Sequence, residues 1–187
     1  MNDHYAVASA GNVTDAANTR AFLQQAIDHY PRLAAFSLTL VLPYSESIAD
    51  YRSLILRFHT EVWQRMGDYS WQRQQARQSS PPTILRWLWE SASAPECRMV
   101  LMINLDTLGT ARSPQLTDSA LQSINAIIVN AWQTVTSTVC AGVTTLTPIV
   151  ISRTGRDAFT VPFNQLKTRV QEMTTPVTTA RTGVICP

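Results

Sequence analysis

The chain has 187 residues, 45% hydrophobic and 15% charged, with a formal net charge of +2; it is long enough for one well-buried core and short for two. Apolar content is ordinary and charge density lies below the usual figure of about 25%, so disordered, collagen-like and coiled-coil classes are excluded. The longest apolar runs, Met99–Ile103 and Ala126–Val129, fall far short of the roughly 18–20 residues of a membrane span, and no membrane partner is expected.

Residues 1–19 are small and polar and are expected to form a flexible arm, with a single domain over 20–187. No basic stretch precedes an apolar one in Met1–Asn18, so the chain does not read as secretory and a cytoplasmic place is expected. In Thr19–Tyr30 the apolar positions Phe22, Leu23, Ala26, Ile27 and Tyr30 recur at helical spacing, with Thr19 as N-cap and Pro31 as stop. Leu33–Leu42 then alternates as a strand. Ile48, Tyr51, Ile55, Phe58, Val62 and Met66 mark the clearest helix, which Gly67 is expected to interrupt before Tyr69–Gln78.

Thr83–Glu90 alternates as a strand and Arg98–Asn104 is a second apolar run of strand length, so the two are expected to pair as a hairpin across Ser91–Pro95. Leu105–Pro114 reads as connection and Leu116–Val135 as a long helix. A bent strand is expected within Thr134–Thr147, and a short strand over Ile149–Ser152. Gly155 and Asp157 mark a turn, and Pro162 suits the first turn of a last helix over Val161–Met173. Thr174–Pro187 shows no pattern. The order is helix, strand, helix, strand, strand, helix, strand, helix, which indicates an α+β fold: a mostly antiparallel sheet with helices packed on one or both faces.

Residues that carry chemistry are sparse. Cys97, Cys140 and Cys186 make an odd set with no CxxC spacing, so free thiols are expected rather than a disulfide framework or a zinc site. His4, His29 and His59 are scattered, and His59 reads as a half-exposed helix residue, since no second histidine or cysteine lies three or four residues away. The six glycines fall in no phosphate-loop spacing, which excludes P-loop nucleotide hydrolysis. Fourteen of the fifteen basic residues are arginine, with Lys167 the single lysine; arginine offers forked, stacking-competent contacts that lysine does not. Arg65, Arg73, Arg77 and Arg86 share one window with Trp71 and four glutamines. Such a mix can track a phosphate backbone with some stacking, and it equally describes a solvated helix face. Trp87 and Trp89 share a strand face and read as core rather than as a stacking platform.

The run Ile84-Leu85-Arg86-Trp87-Leu88-Trp89-Glu90, a short polar link, and Met99-Val100-Leu101-Met102-Ile103-Asn104-Leu105-Asp106-Thr107-Leu108-Gly109 resemble the YagK/YfjJ C-terminal domain family. This is a prophage-borne, inovirus-type group of replication-protein-like domains. The resemblance extends from about Tyr30 to Cys186, through Pro31–Pro43, Ile127–Trp132, Asp157-Ala158-Phe159 and Thr178-Thr179-Ala180-Arg181. It implies a sandwich similar to the HUH class of rolling-circle initiators, whose paired histidines hold a divalent metal and whose tyrosine attacks DNA.

This sequence departs from that pattern where the chemistry lies. The histidine pair falls on Glu96 and Arg98, and the tyrosine-and-lysine position of the last helix falls on Glu172 and Thr175, with no tyrosine after Tyr69. Glu90 matches the family's strand glutamate, and a cross-strand salt bridge from Glu90 to Arg98 is the favoured reading of that pair. The resemblance therefore implies a non-enzymatic relative, without cofactor or metal, that regulates by binding single-stranded, hairpin or duplex DNA in a bacterial host. Arg65, Trp71, Arg73, Arg77, Arg86 and Arg98 are the expected contacts, and Glu90, Glu96, Arg98, Glu172 and Thr175 the vestigial positions. A protein-interaction module that modulates a host or phage protein is the alternative, and a metal nuclease using Glu90 and Glu96 the least favoured.

Overall fold

The structure, a computed structural model, describes residues 16–43, 48–90, 95–109, 115–139 and 142–182. Its centre is β1 (Arg32–Val41), whose near-continuous burial on both sides shows a strand covered on two faces. On one side β1 pairs with β3 (Glu96–Asn104), which pairs with β2 (Ile84–Glu90), which pairs with β6 (Pro176–Thr182). On its other side β1 carries two short strands in succession, β4 (Val143–Thr145) opposite Leu38–Leu40 and β5 (Ile149–Ser152) opposite Arg32–Ala35. All of these pairings are antiparallel, and the β2–β3 hairpin has the pairing its two runs indicate.

Because strand side chains alternate, the sheet divides the apolar residues into two cores. Phe36, Leu38 and Leu40, with Trp87, Trp89, Met99 and Leu101, meet α2 (Ile48–Gln75) and α3 (Asp118–Thr136). Leu33, Ala35, Leu88, Val100 and Met102 meet α1 (Ala16–His29) and α4 (Arg156–Gln171) on the opposite face. The fold is thus α+β, with a mostly antiparallel sheet between two pairs of helices. No helix of the described residues is long and apolar enough to cross a membrane.

The cap of α3 follows from sequence chemistry. The Thr117 hydroxyl accepts a hydrogen bond from the Ala120 amide at 3.2 Å, satisfying one of the orphan donors of the first turn. Thr117→Ala is expected to cost about 1 kcal/mol in urea denaturation, and Thr117→Ser to restore most of it.

Several boundaries differ from those the sequence suggests. Helix α1 begins at Ala16, so Thr19 lies inside it, buried, rather than at its cap; residues 1–15 lie outside the described residues. Gly67 does not interrupt α2, because it faces open space while Val62, Met66 and Ser70 stay buried along the helix. Tertiary packing there outweighs the roughly 1 kcal/mol glycine penalty. Among the described residues of Thr134–Thr147 the helix runs through Thr136 and only Val143–Thr145 is strand. Helix α4 starts at Arg156 with Gly155 as its cap, which leaves Pro162 inside the helix. The tail holds β6, hidden from a hydropathy reading because its buried inward positions are Val177 and Thr179. Part of the Leu105–Pro114 connection is a 3-10 turn, Leu105–Leu108, capped by the Asn104 side chain.

Candidate functional site

Glu90, Arg98 and the main chain of Glu172 meet at one end of the sheet. Glu90 closes β2 and Arg98 lies near the start of β3, one step beyond the Trp89–Met99 pair. The Arg98 guanidinium donates to Glu90 Oε1 through Nε at 2.9 Å and Nη2 at 2.6 Å. Nη2 also donates to the main-chain oxygen of Glu172 at 2.7 Å, at the C-cap of α4. The Thr174 amide reaches Glu90 Oε1 at 3.0 Å and the Arg98 amide reaches Oε2 at 3.1 Å. Thr175 follows in the left-handed region, φ 44°, and is exposed. Glu96, also exposed, shares no hydrogen bond or ion pair with Glu90 among the described residues.

Burial pushes the Glu90 carboxyl up, yet the Arg98 side chain and the Thr174 and Arg98 amides outweigh it and hold Glu90 below its ordinary value. The hydrogen bond to Glu90 in turn raises Arg98. Behind this pair the Tyr51 hydroxyl donates to the Glu90 main-chain oxygen at 2.7 Å, and Cys97 Sγ lies 3.6 Å from the same oxygen. Desolvation raises Tyr51 above its ordinary value and pushes the Cys97 thiol up to about 12, so this cysteine is a buried thiol with no nucleophilic character at neutral pH. Cys140 and Cys186 lie outside the described residues.

These residues do not fit a divalent cation. Both Glu90 oxygens already accept hydrogen bonds, and the neighbouring cation is a guanidinium; Arg98 has no lone pair to donate. Among the described residues no group of three or more histidine, cysteine or acidic side chains is placed to hold a metal.

The six expected DNA contacts do not share one surface. Arg86 is 4% exposed, on the sheet face covered by α1, with its guanidinium 5.9 Å from the Tyr30 ring centre and Nη1 without a hydrogen-bond partner among the described residues. Burial lowers its pKa. It cannot reach a nucleic acid, because strand alternation turns it inward beneath a helix. Arg98 is engaged by Glu90, and Arg65 by Glu61 at 2.8 Å and the Thr134 hydroxyl at 2.9 Å. Trp71, Arg73 and Arg77 remain together at the C-terminal end of α2. Trp71 is 43% exposed and Arg77 is exposed with φ 56°. Arg73 stacks 5.7 Å from the Tyr69 ring centre and crosses Gly109, where a Cβ would collide with its guanidinium. This end lies about 30 Å along α2 from Tyr51 and Glu90.

Trp87 and Trp89 are core, as their strand face indicates. His59 is not half-exposed: it is 1% exposed and stacks on Trp87 with ring centres 4.1 Å apart and planes 12° apart. Its Nδ1 lies 3.4 Å from the Thr179 hydroxyl. The helical stripe of α2 is wide enough to bury both Phe58 and His59, and only the position of β6 reveals it. Sequence reasoning also missed the Arg32–Asp106 ion pair at 2.7 Å, whose partners are 74 residues apart and carry no local signal.

A family model described as Uncharacterised conserved protein UCP030791 matches residues 7–146. No curated protein and no solved structure matches the chain. The match takes in the sheet from β1 to β4 with α2 and α3, and stops short of Glu172 and Thr175. Spanning most of the chain, it places this protein in that uncharacterised conserved family.

Proposed function

We propose that this protein is a catalytically inactive, replication-initiator-like regulator of a mobile element or prophage, acting in the cytoplasm of a bacterial host. DNA is held at the C-terminal end of α2. The observation that carries the reading is the surface there: exposed Trp71 and Arg77, with Arg73 beside them, among the exposed Gln72, Gln74, Gln75 and Gln78. No acidic residue occurs from position 69 to 89. Amide and guanidinium donors on a helix end, with an indole for stacking, suit both phosphates and base edges.

The convergence of Glu90, Arg98 and Glu172 supports descent from an initiator-like domain, since the resemblance aligns these distant positions with one catalytic centre. Their present chemistry is an ion pair that ties β2, β3 and the end of α4 together. Supercoiled and single-stranded DNA incubated with Mg²⁺ or Mn²⁺ are accordingly expected to remain uncut.

Fluorescence anisotropy against single-stranded, hairpin and duplex DNA at two salt concentrations tests the reading. Arg73→Ala/Arg77→Ala is expected to weaken binding at least tenfold and to lower the salt slope by about two, one per lost phosphate contact. Absence of binding to every form, or wild-type affinity in the double variant, overturns it. Binding partners would then be sought among proteins, whose association depends less on salt.

A further inference from the structure

We infer that the groove between α1 and α4 is a binding site for an anionic amphiphile, an alkyl chain ending in a carboxylate. The groove has a volume of about 830 Å³, within the range of small-molecule sites. Leu23 of α1 and Val170 of α4 form its floor, and Met173 and Pro176 its side toward β6. Leu23, Val170 and Met173 continue the apolar core of that sheet face to the surface.

The rim carries charge of one sign. Arg20 and Lys167 both line the groove, and the other polar lining residues are a threonine and two glutamines, with no acidic side chain among the described residues. Neither cation belongs to an ion pair among the described residues. Lys167, the single lysine of the chain, is held half-buried with its ammonium 5.7 Å from the Phe163 ring centre. Two cations without an ion-pair partner among the described residues, above an apolar floor, complement a ligand with one anionic head and one aliphatic tail. A neutral alkyl chain leaves the cations without a counter-charge, and a cationic one is repelled. The concave form and the volume, within the range of small-molecule sites, favour a small molecule over the acidic helix of a protein partner.

The test is calorimetric titration of the full chain with octanoate, decanoate and dodecanoate below their micelle-forming concentrations, with amide chemical shifts to locate the ligand. Dodecyltrimethylammonium and acetate serve as controls. One-to-one binding is expected that tightens with chain length, by up to about fourfold per methylene, with shifts concentrated in α1 and α4. Arg20→Gln/Lys167→Gln is expected to weaken dodecanoate at least tenfold; Arg20 is exposed and Lys167 half-buried, and an unchanged far-ultraviolet circular dichroism spectrum checks the fold. Four outcomes overturn the inference: no alkanoate binding, equal binding of dodecyltrimethylammonium, undiminished affinity in the double variant, or shifts elsewhere. Binding of an acidic amphipathic peptide or of phosphatidylglycerol vesicles, without binding of free alkanoate, overturns it equally.

Discussion

Trp87→Ala is expected to destabilise the protein by about 3–5 kcal/mol, whereas Trp71→Ala is expected to stay within about 0.5 kcal/mol of wild type. Trp87 has no solvent exposure, stacks on His59 and meets Phe58 edge-on at 5.7 Å. Its loss removes a large apolar surface and opens a cavity between the sheet and α2, which close packing fills only in part. Trp71 stands 43% exposed and has no comparable enclosure. Trp87→Phe is expected to cost less than half as much as Trp87→Ala, because the Trp87 indole N–H has no hydrogen-bond partner among the described residues and its removal leaves no group newly unsatisfied there. Urea denaturation of the three variants checks the set; a Trp87→Ala cost below about 1 kcal/mol contradicts the described core.

The second large effect lies at the Glu90–Arg98 pair, and it is asymmetric. Glu90→Ala is expected to cost about 2–4 kcal/mol at neutral pH, since it strips the acceptor from the Arg98 and Thr174 amides and from the guanidinium together. Arg98→Ala is expected to cost about 1–2 kcal/mol. Its side chain is 44% exposed, so water reaches the site, and Glu90 keeps the Thr174 and main-chain Arg98 donors. The pH dependence follows from the lowered Glu90 pKa. A carboxyl held below its unfolded value, about 4.3 for glutamate, stabilises the fold above that value. The stabilisation is lost as pH falls through the lower native value. The gap between wild type and Glu90→Ala is therefore expected to narrow in urea denaturation below about pH 4. A gap that does not change with pH contradicts the ion pair as the source of the stability.

The same pair shows why part of the site was legible and part was not. Glu90 and Arg98 lie on strands joined by a short link, so hairpin register alone makes them cross-strand neighbours. The third member, the end of α4 with Glu172 and Thr174, lies more than 70 residues further along. Its approach depends on β6 pairing with β2, and β6 was unreadable because Thr178 and Thr179 differ in burial while being the same residue. For the arginines the missing information was direction. Arg86 and Arg73 look alike in a basic, glutamine-rich window, yet one turns under α1 and the other lies across Gly109 at the surface.

By itself the sequence determined the α+β class, β1, β2, β3 and their hairpin, the long helices α2 and α3, and the burial of the tryptophan pair. All of these rest on hydropathy periods that a single segment carries. Only the tertiary structure decided that α2 runs unbroken past Gly67 and that His59 is core. It alone brought α1 and α4 together over one sheet face, with Arg20 and Lys167 at the rim of their groove. Those features arise from contacts between segments far apart in the chain, where packing outweighs local propensity and no periodicity records the partner.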